Sequence, residues 1–192
     1  MVICGIDPSL SSTGVCIYDT QSRKTSVAQI DGHHKDCHVG ARCERIAAAV
    51  IDAICKPPME DCMTLDVFIE QPGGMLQGPA QDLRTLYWAI IRHLEMEKFI
   101  YPTIFPVAPA TLKKWLTGRG NARPEDKAYA VLTKLRHLLP EEYVVSDETK
   151  GGISKFKDAY DAVALAALGE CRLGEGEYSK AQVEAVKKVV RL

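Results

Sequence analysis

The side chains in this sequence that could do chemistry are carboxylates placed at the ends of apolar runs. Val2-Ile3-Cys4-Gly5-Ile6 leads into Asp7, and Leu65 to Ile69 leads into Glu70. Each acid is followed by a turn-forming stretch, Pro8-Ser9 and Gln71-Pro72-Gly73-Gly74. Short runs rich in Val and Ile read as buried strands, where an ionised carboxylate is costly unless a cation compensates it. For Asp7 alone, an Asx-type turn before Pro8 is as good an account. The same pattern on a second, independent strand argues against turn chemistry twice over. Asp158, Asp161, Ala162 and Leu165 then recur at i, i+3, i+4 and i+7, so both aspartates share a helix face with core-directed residues. Like charges on one face repel, and a helix N-terminus softens this only in part. A cation explains the pair better than an exposed N-terminal cap does.

Asp7, Glu70, Asp158 and Asp161 together form an all-oxygen donor set, which selects hard ions such as Mg²⁺ or Mn²⁺ over zinc. Without a metal, clustered acids would raise one another's pKa and lose charge. Two such ions about 4 Å apart can activate water and stabilise the leaving oxygen in phosphodiester cleavage. No Cys–His or Ser–His–Asp arrangement competes with this chemistry. His33, His34, Cys37, His38 and Cys43 are metal-capable but fall within one short stretch with no second cluster, unlike paired zinc ligands, and read as a polar surface loop.

Those acids need a sheet and a helix to bring them together. Val2 to Tyr18 reads as a β-hairpin, and Lys24 to Ile30 as a third strand with Thr25, Val27 and Gln29 on one face. Gly40 to Lys56 is a helix with Ile46, Ala47, Val50, Ile51 and Ile54 inward, stopped by Pro57-Pro58. Leu65 to Glu70 is the next strand. Ala80 to Phe99 is a second amphipathic helix, with Leu83, Tyr87, Ile90 and Leu94 inward and Trp88 and Ile91 read as core. Thr103 to Val107 is a short strand that Pro106 assigns to a sheet edge or strand end.

A short helix from Pro109 runs through Lys113, Lys114 and Trp115 into a basic Gly118-Arg119-Gly120 turn, whose N–H groups could cradle phosphate. Pro124 to Leu139 is a helix with Pro at its start. Pro140 to Lys157 is a polar loop expected to be mobile, and Asp158 to Arg172 is the last strongly patterned core helix. Ser179 caps a final helix whose Val183, Val186 and Val190 form a stripe suited to docking on the domain or on a second subunit. This order of elements gives one α/β layered domain. In such open sheets, sites assemble at the carboxyl ends of the strands.

The bulk properties fit an intracellular enzyme. With 192 residues, 46% apolar and 26% charged, the chain suits a single core. Seven scattered cysteines point to reduced thiols in a cytoplasmic setting rather than a disulfide framework. Met1 runs directly into a strand, which leaves no room for a signal peptide, and no apolar run approaches a membrane span. Net charge is −1, but residues 111–157 carry 10 basic and 6 acidic side chains, whereas residues 1–110 carry 9 and 13. A basic segment beside carboxylate-bearing ones suits a metal enzyme that handles phosphate.

The sequence resembles the RuvC family of Holliday-junction resolvases, within the ribonuclease H-like nuclease superfamily. The resemblance lies in four stretches taken in the family's order: GIDPSLSSTG (5–14), FIEQP (68–72), LKKWLTGRGNA (112–122) with Lys127 after it, and DAYDAVALA (158–166). It implies a ribonuclease H-like α/β fold with a five-stranded mixed sheet flanked by helices, over a nuclease domain of residues 1–172 with a helical extension at 173–192. It also implies a homodimer acting on four-way DNA in recombination and repair, with two Mg²⁺ ions for which Mn²⁺ can substitute.

Asp7, Glu70, Asp158 and Asp161 would take the metal-binding catalytic positions, with Asp7 bridging both ions, and Lys113 would serve catalysis near the scissile phosphate. DNA contacts are expected from Ser12, Met75, Lys114, Arg119, Arg123, Lys127, Lys155 and Lys157. The departures are Ser9 in place of the family's Gly, Pro72-Gly73-Gly74-Met75 where an aromatic wedge is usual, and a longer, more basic loop at 140–157. They suit a divergent, phage-encoded member and leave junction selectivity open.

Three other readings compete. One is a broader nuclease for flaps, forks or RNA–DNA hybrids. Another is a non-catalytic DNA-binding module. The last is an actin- or sugar-kinase-type ATPase, which shares the Gly-Ile-Asp opening but needs two such domains.

Overall fold

Side-chain alternation along the strands sets which residues meet the core on each face of the sheet. The computed structural model describes residues 1–32, 38–55, 64–73, 79–97, 101–144 and 155–192. Five strands, β1 (Val2–Asp7), β2 (Ser12–Asp19), β3 (Lys24–Asp31), β4 (Thr64–Glu70) and β5 (Tyr101–Val107), form one sheet in the order β3-β2-β1-β4-β5. The β1–β2 and β2–β3 pairs are antiparallel, and β1–β4 and β4–β5 are parallel. This is the five-stranded mixed sheet the sequence led us to expect, with β1 at its centre.

Helices α1 (Val39–Ile54) and α2 (Pro79–Met96) cover one face. There Cys4, Ile6, Val15, Val67 and Ile69 from the strands meet Ile46, Val50, Leu86 and Ile90 from the helices. The other face carries α3 (Pro109–Thr117), α4 (Pro124–Lys134), α5 (Lys157–Leu173) and α6 (Lys180–Val186). Its core joins Ile3, Cys16 and Phe68 to Leu112, Val131, Tyr160 and Leu165. Helix α5 is buried from Ala159 through Cys171 and lies against β1 and β2. Five alanines between 159 and 167 make that close approach possible.

Several details differ from the sequence reading. Helix α4 stops at Lys134, and a 3₁₀ turn (Arg136–Leu138) takes over so that Leu138 and Leu139 both turn inward. Lys157 belongs to α5, and Glu141–Tyr143 is a second 3₁₀ turn held by Tyr160 Oη, which donates to the Tyr143 carbonyl at 2.9 Å. Trp88 is not core: it is 51% exposed, while Ile91 beside it is buried. The indole follows Tyr87 by one residue and so turns outward on the helix. On α6 the helix ends at Val186, so Val186 and Val189 pack inward, whereas Val183 and Val190 face solvent. This segment docks on α3 and α5 of its own chain.

The β5 edge is closed by the last residues. Leu192 N–H donates to the Ile104 carbonyl at 2.8 Å. Pro102 and Pro106 flank Ile104 on that outward row and carry no N–H. Cys4, Cys16, Cys43, Cys55 and Cys171 are free thiols. Among the described residues, no helix is long and apolar enough to cross a membrane. The readings of His33, His34, Cys37 and Met75, and of most of the 140–157 loop, fall outside the described residues.

Candidate active site

Alternation places the first two acids on the same face. In β1, Ile3, Gly5 and Asp7 face α5, since Ile3 lies in that core and Cys4 and Ile6 in the opposite one. In β4 the same parity assigns Phe68 and Glu70 to the α5 side, with Val67 and Ile69 opposite. Because Ile6 pairs with Ile69 in parallel register, Asp7 and Glu70 leave adjacent strands at the same edge, and adjacent strands lie about 4.8 Å apart.

Two glycines bring the second pair of acids to that edge. A Cβ on Gly5 would lie 2.1 Å from the Ala162 carbonyl oxygen, and one on Gly14 would lie 2.0 Å from that of Asp158. Gly14 is the cross-strand partner of Asp7. The first turn of α5 therefore rests directly on the strand beside Asp7, and Asp158 and Asp161 come with it.

The turn that follows Asp7 is firmly built. Thr13 Oγ1 accepts the Ser9 N–H at 3.2 Å and donates to the Ser9 carbonyl at 2.8 Å. Ser9 and Ser11 share a 3.0 Å hydroxyl contact, and Ser12, which opens β2, accepts from Gln29 Nε2 at 3.3 Å. Arg42, in the first turn of α1, fixes the turn from behind, with Nε donating to the Gly32 carbonyl and Nη2 to the Leu10 carbonyl, both at 2.5 Å. No motif marks Arg42. Its role depends on the meeting of three segments that are distant in sequence.

The acids are buried and feel one another. Asp7 is 8% exposed and Asp161 3% exposed, and Asp158 is partly buried. Burial pushes the Asp7 carboxyl well above the usual range, and Asp161, Glu70 and Asp158 push it further. Burial also raises Glu70, with Asp161 adding to the rise and Lys127, Lys113 and Lys157 opposing it. Asp161 is raised by burial against the pull of Lys127.

Lys127, expected as a DNA contact, lies within this cluster, 6% exposed, with Nζ 2.5 Å from Asp161 Oδ2. Lys157 Nζ stands 3.4 Å from Asp158 Oδ1. Burial works against the Lys157 ammonium, but Asp158, Asp7 and Asp161 outweigh it and hold its pKa above the ordinary value.

Glu70 Oε2 is buried with no hydrogen-bond partner among the described residues. A buried carboxylate whose role is structural looks different. At the far end of the sheet, Glu170 accepts from Tyr18 Oη at 3.2 Å and from Tyr178 Oη. The orphaned oxygen of Glu70, in a cluster with Asp7 and Asp161, suits a hard divalent ion in donor type and in unmet electrostatic demand. As the side chains stand, no three His, Cys, Asp or Glu among the described residues close around a single point as metal ligands. Asp161 is turned to Lys127 instead.

The remaining cations lie outside this centre. Lys113 on α3 is partly buried and close enough for its charge to act on Glu70. Lys114, Arg119 and Arg123 are exposed on α3 and the turn to α4. Gly118 supplies the left-handed C-cap of α3, φ +80°, and the Asp126 carboxylate accepts the Arg123 backbone N–H at 3.1 Å. Lys155 is exposed over the Phe156 ring, 5.0 Å from its centroid.

No protein-family model matches the sequence, and no curated protein matches it closely. Solved structures do resemble the fold. The structure of Thermus thermophilus RuvC superposes with a TM-score of 0.60 at 18% identity, over 91% of this chain and 97% of that one. T. thermophilus RuvC in complex with a Holliday junction substrate gives 0.59 at 17% identity, over 91% and 96%. The fowlpox virus Holliday junction resolvase gives 0.51 at 12% identity, over 90% and 99%. At such identities the likeness is one of architecture, and the architecture of this chain is the ribonuclease H-like fold of RuvC.

Proposed function

We propose that this chain is a Mg²⁺-dependent endonuclease for branched DNA that resolves four-way junctions as a homodimer. The observation that carries the reading is the convergence of Asp7, Glu70, Asp158 and Asp161 at one edge of this sheet, with a buried Glu70 oxygen left unpaired among the described residues. The same fold in a RuvC solved with a Holliday junction substrate supports branched DNA as the partner. Asp7, Glu70, Asp158 and Asp161 would hold Mg²⁺, or Mn²⁺ in its place. When bound, the metal supplies an activated water and neutralises charge on the leaving oxygen.

The chain's own groups do the rest. Asp7, on the central strand, would be the carboxylate shared if two ions bind. Lys113 offers its ammonium to the phosphate beside Glu70. The Ser9, Ser11 and Ser12 hydroxyls flank the same edge and can donate to phosphate oxygens. Lys114, Arg119, Arg123 and Lys155 are exposed where a DNA backbone could reach them. Such contacts position the duplex without reading its sequence.

Cleavage of a synthetic four-way junction tests the reading. Wild-type protein should cut it with Mg²⁺, and Asp7→Asn or Glu70→Gln should each lower the rate by about 10²–10³-fold. Cleavage surviving in both variants would remove these acids from the reaction. Equal rates on linear duplex and on the junction would leave a broader nuclease without junction preference.

A further inference from the structure

A lysine buried among acids needs an explanation, because burying an ammonium costs several kcal/mol unless a carboxylate pays it back. Lys127 lies on the face of α4 that packs against α5, between the buried Ala128 and Val131 and the sheet edge. Its Nζ is 2.5 Å from Asp161 Oδ2, and the two side chains are 7% and 5% exposed. The other cations near the acids are placed differently. Lys157 is 46% exposed and 3.4 Å from Asp158, and Lys113 lies on α3 beside Glu70. Among the described residues Lys127 is thus the deeply buried cation of this cluster, and its field reaches Asp7 and Glu70 as well as Asp161.

We infer that Lys127 is the built-in counter-ion of the acidic cluster, and that its ammonium and a divalent cation compete for Asp161. This rests on the nuclease reading above. An ammonium 2.5 Å from Asp161 Oδ2 occupies that oxygen and repels a divalent ion approaching the same carboxylate, and in a site shielded from water this repulsion is little screened. Where no divalent ion is bound, the ammonium offsets the acids at the buried centre of the cluster, beyond what the more exposed Lys157 supplies to Asp158. It also holds Asp161 away from a closed ligand set, in keeping with the open arrangement of the four carboxylates. When an ion enters, Asp161 turns to it and the Lys127 ammonium is released at the same edge. A tether that merely orients Asp161 would act with the opposite sign, since its removal would weaken metal binding.

Mn²⁺ binding, measured by calorimetry on wild type, Lys127→Met and Lys127→Gln, separates the two. Competition predicts about tenfold tighter Mn²⁺ binding in Lys127→Met, with a smaller gain in Lys127→Gln, and a lower Tm for both variants in EDTA. Equal or weaker binding in folded variants overturns the exchange and leaves the nuclease reading standing. Failure of every form to bind Mn²⁺ overturns the nuclease reading itself.

If neither variant folds, amine labelling of the wild-type chain decides, with peptide mass spectrometry as the readout. Lys127 should be protected in EDTA and become several-fold more reactive with Mn²⁺. Unchanged labelling in a chain that binds Mn²⁺ overturns the exchange.

Discussion

At Asp7, burial and three neighbouring carboxylates act in the same direction, and both raise its pKa. An acid that holds its proton more tightly folded than unfolded stabilises the fold while protonated. That contribution is lost as pH rises through the folded value. In EDTA the Tm of wild type should therefore fall more steeply than that of Asp7→Asn as pH is raised from about 4. Adding Mg²⁺ should flatten the wild-type curve. Parallel curves for the two proteins in EDTA would show that Asp7 does not carry the repulsion.

Lys113 is the second residue whose surroundings dictate an outcome. Its charge acts on Glu70, so its contribution belongs to the charge that develops during cleavage more than to docking. Lys113→Ala should lower the single-turnover rate by about 100-fold while changing junction affinity only a few-fold. A loss of affinity alone would make it a simple phosphate anchor.

The elements place these residues through steric fit. Helix α5 reaches the sheet because Gly5 and Gly14 present no Cβ to its backbone. Gly14→Ala should destabilise the protein by about 1–3 kcal/mol, read from denaturant midpoints. It should also reduce cleavage well beyond what the remaining folded fraction explains, because Asp158 would be lifted away from Asp7. Full activity in a folded Gly14→Ala protein would contradict the placement of α5.

The strands, the helices and the four acids could be read in the sequence because each has a local cause: alternation, a 3.6-residue stripe, or an acid ending an apolar run. What could not be read depends on neighbours distant in sequence. Trp88 extends an apolar stripe yet faces solvent, because the stripe is wider than the contact α2 makes. Lys127 carries a surface-type side chain and is buried because α4 brings it to Asp161. The early stop of α4 has no Gly or Pro to announce it and comes from Leu138 and Leu139 both seeking the core. The brace from Arg42 to Leu10 and Gly32 joins three separate segments and leaves no mark in any one of them.

Across the whole molecule, near-neutral net charge conceals a division of labour. Four acids are gathered at one buried edge, while Lys114, Arg119 and Arg123 stand exposed on α3 and the turn to α4. Junction binding should weaken linearly in log–log form with salt. Replacing any one of these three cations should reduce the slope by about 0.9 if it contacts phosphate. A slope unchanged in the triple variant would place the DNA elsewhere.

The sealed β5 edge has a consequence for how copies of this chain can associate. Its outward row offers Ile104 between two prolines, and the Ile104 carbonyl is already taken by Leu192. Unlimited edge-to-edge growth of a sheet requires two free sides, one to accept and one to donate. Among the described residues, the outer row of β5 is therefore the less open of the two sheet edges, and two β3 edges that met would occupy each other. Edge pairing through β3 alone would stop at two chains.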